Sequence, residues 1–208
     1  MPNISTYLLA VIGIAFILQL IMPAFEDAFL FNPYKALTEP WRFVTSVFLH
    51  DTGGFSHIFF NSYALFVFGS ILEQRISKRN YLLLFFAAGL LGSVLYYLTI
   101  FSPWPPLCGS PEDVVFCNAL GASGAIYGIL GAVAILIPDL TIFFWFFPMK
   151  IKYAAILWVI IEFLGTVGGA SGVASAAHLG GLFFGLAYGW YLSRKPPEYT
   201  AHVEWTHY

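Results

Sequence analysis

Residues 121–137 read Gly-Ala-Ser-Gly-Ala-Ile-Tyr-Gly-Ile-Leu-Gly-Ala-Val-Ala-Ile-Leu-Ile, and residues 174–192 read Ala-Ser-Ala-Ala-His-Leu-Gly-Gly-Leu-Phe-Phe-Gly-Leu-Ala-Tyr-Gly-Trp-Tyr-Leu. Neither stretch contains an Asp, Glu, Lys or Arg. Each approaches the length of about 20 apolar residues that a helix needs to cross a bilayer. Small residues recur in both at one-turn spacing: Gly124 and Gly128, with Gly131 close by, and Ala177, Gly181, Gly185 and Gly189. Small residues four apart let two helix backbones approach closely in lipid. The two segments therefore predict a pair of packed membrane helices, and the rest of the chain arranges itself around that pair.

The remaining sequence has the same character. Of 208 residues, 59% are hydrophobic, 19% aromatic and only 10% charged. A soluble domain carries about 25% charged residues, so this chain cannot cover a water-facing globule. Charge-free stretches run over 1–25, 52–72, 80–111, 114–138 and 163–193, and 151–169 is interrupted only by Lys152 and Glu162. The expected fold is an all-α, polytopic six-helix membrane bundle forming one domain over 1–208. Its spans lie near 6–24, 57–73, 81–101, 121–137, 151–169 and 174–192. The first segment does not read as a cleaved signal peptide, because no Lys or Arg precedes Lys35 and no small-x-small site follows.

Six spans place both ends of the chain on one side. The connections at 74–80 and 138–150, the 193–208 tail and their borders hold Arg75, Lys78, Arg79, Lys150, Lys152, Arg194 and Lys195, seven of the nine basic residues. The opposite side holds Lys35 and Arg42. By the positive-inside rule the basic side, with both termini, is cytoplasmic. On the outer side, 25–56 is aromatic and broken by Pro33, Pro40 and Gly53-Gly54, as expected of a segment lying partly in the interface. The proline-rich 102–120 loop carries both cysteines, Cys108 and Cys117; on that face a disulfide between them is chemically permitted, the alternative being two free thiols. The net charge of −2 has no bearing on nucleic acid, and with no basic aromatic stripe to bind it no nucleic-acid partner is expected; the surrounding lipid is the expected partner.

The polar interruptions carry the chemistry. Spans two, four and six all run inward from the outer face. Near their starts they bear His57 and Asn61 (H-x-x-x-N, one helix face), Ser123, and His178 respectively. Singly, each is accounted for as a packing residue or an interhelical hydrogen bond. Two imidazoles, a hydroxyl and an amide at one depth on three helices form a constellation instead. Packing of span four on span six brings Ser123 towards His178, and Tyr127, one turn below Ser123, can buttress the imidazole. A hydroxyl with a histidine base suits acyl transfer. The Ser123 backbone N–H, Asn61 and His57 are candidate oxyanion donors. The soluble G-x-S-x-G elbow is excluded, since position 125 is Ala, and no H-E-x-x-H indicates a metal. Neither cofactor nor metal is expected.

Trp41-Arg42, His57-x-x-x-Asn61, Gly121-x-Ser123-Gly124 and Ala177-His178-x-x-Gly181, in this order over roughly 40–190, resemble the rhomboid intramembrane serine proteases. The resemblance implies a Ser123–His178 dyad with Asn61 and His57 in the oxyanion hole. It also implies a hydrated cavity open to the outer face, a partly embedded first loop, and substrate entry past a mobile span five or a cap at 165–175. His50 and Glu73 match the family pattern as structural hydrogen-bonders. The chain departs from familiar bacterial members in lacking a soluble N-terminal domain and in its Cys-bearing and Gly53-Gly54 loops. The implied substrates are single-pass membrane proteins, cut near the outer face after a small residue.

Glu162 admits two readings: orientation of His178 as a third member, where the family pattern is a dyad, or a carboxyl that is protonated or hydrogen-bonded within the bundle. Two other functions compete with proteolysis. A catalytically silent rhomboid-like protein would bind membrane helices in the same groove, but has no need of both Ser123 and His178. A transporter would line a path through the bilayer, whereas these polar residues cluster near one face.

Overall fold

The computed structural model describes residues 3–100, 117–144, 146–168 and 172–195. The chain forms a mostly helical bundle. Helix α1 (Ile4–Ile21) leads into a short α2 (Pro23–Phe29), and a turn segment precedes α3 (Arg42–Thr45) and a 3-10 turn (Ser46–Phe48). A continuous helical rod follows, made of α4 (Ser56–Ala64), a π turn (Leu65–Gly69) and α5 (Ser70–Glu73). Then come α6 (Lys78–Ile100), α7 (Ser123–Leu136), α8 (Ile151–Gly168) and α9 (Gly172–Ser193). These long stretches overlie the six predicted segments within a few residues. Among the described residues, α1 and α6 are long and apolar enough to cross a membrane, and α7 is a shorter apolar helix.

One departure from the all-α expectation is a two-stranded antiparallel hairpin, β1 (Thr141–Phe144) and β2 (Phe147–Lys150), joining α7 to α8. Thr, Ile and Phe in β1 favour an extended backbone over helix. The hairpin lies beside the cluster in which Asp139 accepts from Lys152 at 2.9 Å and from Lys150 through its backbone carbonyl at 2.8 Å.

Helix α9 is the hub, packing chiefly on α7 and α6. Glycine makes this possible. A Cβ at Gly181 or Gly185 would collide with the carbonyl oxygens of Gly124 and Gly128, and one at Gly131 would lie 2.6 Å from the Leu182 oxygen. On the α6 side, a Cβ at Gly92 would lie 2.6 Å from the Ala177 oxygen. Backbone meets backbone along the seam, so dispersion contacts are dense there without any hydrophobic driving force from lipid. Outside, Ile14, Ile17 and Ile21 on α1, Phe59 and Phe60 on α4, and Tyr153, Ile156 and Leu164 on α8 are exposed. An apolar exterior of that extent on a helical bundle is a lipid-facing surface.

The two ends of the bundle are held differently. At one end the Glu73 carboxylate accepts from the Ile4 amide at 2.9 Å, from the Ser5 amide, and from the Ser5 hydroxyl at 2.6 Å. It thereby caps the start of α1, where free amides and the helix dipole favour an anion. Glu73→Gln is expected to cost about 2 kcal/mol, read as a lower melting temperature in micelles; an unchanged melting temperature rejects the cap. At the other end, buried Arg42 donates to the Asp27 and Leu30 carbonyls at 2.6 and 2.8 Å and pairs with Glu39. This ties α3 back to the end of α2. Cys117 is disulfide-bonded; Cys108, the other cysteine of the sequence, lies outside the described residues. The 169–171 part of the predicted cap lies outside them too, as does the tail beyond 195.

Candidate active site

Ser123 is the first residue of α7. The approach to it turns at Gly121, whose φ of +130° lies in the region that disfavours side chains. The Gly121 amide donates to the Ser46 carbonyl at 2.9 Å, which anchors the turn to the 25–56 segment. The first amides of α7 have no partners within their own helix, so the serine sits at the positive end of the helix dipole. The glycine seam sets the distance to α9, and His178 Nε2 lies 2.8 Å from Ser123 Oγ. Tyr127 stacks on the imidazole with centroids 4.3 Å apart and planes inclined by 5°.

The other ring nitrogen is engaged as well. His178 Nδ1 lies 3.0 Å from Glu162 Oε1 on α8. The same oxygen accepts the Tyr127 hydroxyl at 2.6 Å. Glu162 is buried. Of the two readings of Glu162, the geometry has both: it contacts the imidazole and it bonds within the bundle.

His57 approaches from α4. Its Nδ1 accepts the Asp51 amide at 3.2 Å, so the neutral ring carries its proton on Nε2. A Cβ placed on Gly121 would lie 2.9 Å from that Nε2 and 3.7 Å from Ser123 Oγ. The Nε2–H therefore faces the space beside the serine. That space is a cavity of about 210 Å³ lined by Ser123, Gly121, His57, Asp51, Asn118 and Ala177 among others. Asn61, one turn below His57, is buried and donates to the His57 carbonyl at 2.8 Å. One amide hydrogen is thus committed to its own helix, leaving the second as a donor.

Ser123, His178, Tyr127 and His57 are brought together; Asn61 is adjacent but turned to its own backbone. Gly121, Gly124 and Gly181 serve through backbone proximity. Trp41 and Arg42 bond elsewhere: Trp41 is exposed and donates to the Ala28 carbonyl at 3.3 Å, and Arg42 organises the 25–56 segment. Asp51, whose backbone amide orients His57, was not anticipated. Asp51 belongs to a Gly-rich turn whose direction spacing does not encode.

His50 is fully buried and its ring packs on His57 with centroids 5.0 Å apart. Its backbone forms a reciprocal pair with the Gln19 side chain. Burial, and then the neighbouring His57, push its pKa down to about 4. The folded state therefore holds His50 neutral where the unfolded chain, near 6.5, takes up a proton. Its stability is complete above pH 6.5 and falls as pH drops towards 4, by about 3 kcal/mol in all. His50→Leu is expected to flatten the slope of melting temperature against pH between 6.5 and 5; an unchanged slope contradicts this.

The fold and this cluster define a class: a helical membrane bundle with a hydrogen-bonded serine–imidazole pair beside a cavity at one end. The chain belongs to the rhomboid family, whose domain matches residues 37–195. It is similar to Rhomboid protein 1, mitochondrial, of Saccharomyces cerevisiae, 32% identical over 166 residues, covering 76% of this chain and 43% of that protein. It is similar to the rhomboid protease GluP of Bacillus subtilis, 32% over 155 residues, 74% and 26% of the two chains. A third relative, the rhomboid protease AarA of Providencia stuartii, is 30% identical over 152 residues, 70% and 53% of the two chains. The chain thus spans roughly half or less of the length of these relatives.

Proposed function

We propose that the protein is an intramembrane serine endopeptidase that cuts transmembrane segments of single-pass membrane proteins through an acyl-enzyme on Ser123. The 2.8 Å contact between Ser123 Oγ and His178 Nε2, next to a cavity, carries this reading. His178 Nε2 takes the Ser123 proton as Oγ attacks the scissile carbonyl. The oxyanion draws on the Ser123 backbone N–H and on His57 Nε2–H, with the second Asn61 hydrogen as a further donor. His178 then delivers the proton to the leaving amine, the C–N bond breaks, and water enters by the same base to release the acyl half. Asn61→Ala is expected to lower kcat by up to about 10²-fold; a kcat equal to wild type removes Asn61 from the mechanism.

The six long helical stretches are the six crossings, with both termini cytoplasmic and the site near the outer face. Fourteen residues of α7 rise only about 21 Å, against a hydrocarbon core of about 30 Å. A helix this short supports a serine recessed below one surface, with water reaching it from that side. Peptide bonds inside a helix are shielded by their own hydrogen bonds, so the substrate must be locally unwound, and the modest cavity favours a small residue before the cut. In proteoliposomes holding a single-pass substrate, mass analysis of the products is expected to place the cut near its outer-face end, after a small residue. An intact substrate, or cuts confined to soluble segments, overturns the proposal.

A further inference from the structure

Glu162 is a buried carboxylate on α8 that the serine–imidazole chemistry does not require, yet it meets the imidazole nitrogen opposite Ser123. Two donors converge on one of its oxygens: the Tyr127 hydroxyl and His178 Nδ1. Convergence of donors suits an ionised carboxylate, which only accepts. Had Glu162 kept its proton and donated a hydrogen bond through it to the Nδ1 lone pair, the hydrogen of the neutral imidazole would sit on Nε2. It would then point at Ser123 Oγ, and the ring could not act as the base. With Glu162 accepting from Nδ1–H, the Nε2 lone pair faces the serine. The same oxygen also holds the hydroxyl of Tyr127, whose ring lies flat against the imidazole. One carboxylate therefore sets the tautomer, and through Tyr127 the plane, of His178.

We propose that Glu162 is a positioning residue that completes a Ser123–His178–Glu162 relay contributed by three different helices, with Tyr127 locked into it. This rests on the proteolytic reading given above. The added element is a carboxylate that fixes the base and offsets the charge of the imidazolium formed when Ser123 loses its proton. Removing the orienting carboxylate from a serine–histidine–carboxylate set costs as much as about 10⁴-fold in kcat.

The test uses the full chain in detergent micelles. Glu162→Gln and Glu162→Ala are expected to lower both kcat on a transmembrane substrate and the rate of fluorophosphonate labelling by at least about 10²-fold. KM and melting temperature should stay near wild type, and Glu162→Asp should recover part of the loss. Labelling and kcat near wild type overturn the proposal. So does a loss matched by a collapse in melting temperature for all three variants, if the second measurement also fails. That measurement needs no substitution at Glu162: ¹⁵N spectra of the His178 ring in the Ser123→Ala background. Protonated Nδ1 with unprotonated Nε2 supports the relay, and the reverse tautomer refutes it. An unlabelled wild type would reject the protease reading, whereas the tautomer would still report on Glu162 alone.

Discussion

Ser123→Ala is expected to leave a folded bundle that has lost the proposed cleavage of a transmembrane substrate. The substitution removes one hydroxyl, and alanine is the best helix former for the first turn of α7. The structural loss is a single hydrogen bond to His178, worth about 1 kcal/mol. The catalytic loss is of another order, since among the described residues Ser123 Oγ is the hydroxyl that hydrogen-bonds the imidazole. Removing the nucleophile of a serine–histidine set costs about 10⁶-fold. Cleavage and melting temperature measured on one preparation separate the two effects: turnover should vanish while the transition stays within a few degrees. Retained turnover would show that another group performs the reaction.

Gly181→Val is expected to fail in the opposite manner, through the scaffold. A Cβ there runs into the Gly124 carbonyl and lies 2.8 Å from its carbon and 3.3 Å from its Cα. All three are backbone atoms that cannot swing aside, so α9 must move away from α7 less than one turn below His178. Overpacking of a tight contact costs about 3 kcal/mol or more, and a 1 Å misplacement of catalytic groups can cost about 10²-fold in rate. Both melting temperature and kcat should fall. Gly13→Ala serves as a control, because nothing lies within 4 Å of a Cβ there; it should be neutral or mildly stabilising. A Gly181→Val protein as stable and active as wild type would mean that the seam does not set the distance between the two groups.

Much of this arrangement was legible in the residues. Hydropathy located the long helices to within a few positions, because a lipid-facing or buried helix must be apolar along its length. The glycine rows gave the α7–α9 seam, and depth counted from the span starts put Ser123 and His178 at one level. Rotation about each helix axis was not legible. Depth alone leaves Glu162 free to face lipid, protein or the imidazole, and only packing of α8 on α9 decides among them. For the same reason the sequence could not tell that Asn61 would bond to the His57 carbonyl. The resemblance grouped Trp41 and Arg42 with the site motifs, yet their partners are the Ala28 and Asp27 carbonyls at the end of α2. Short elements escaped as well: the 141–150 hairpin and the π turn at Leu65–Gly69 are too brief to leave a periodic signal.

The most direct test of the central claim is labelling of the micelle-solubilised protein with a serine-directed fluorophosphonate, followed by peptide mapping. A hydroxyl activated by an adjacent imidazole reacts; an ordinary serine at a helix start does not. A single adduct on Ser123 is expected in the wild type, and none in Ser123→Ala or His178→Ala. A wild type that takes up no label, or a His178→Ala protein labelled as fast as wild type, would contradict the account.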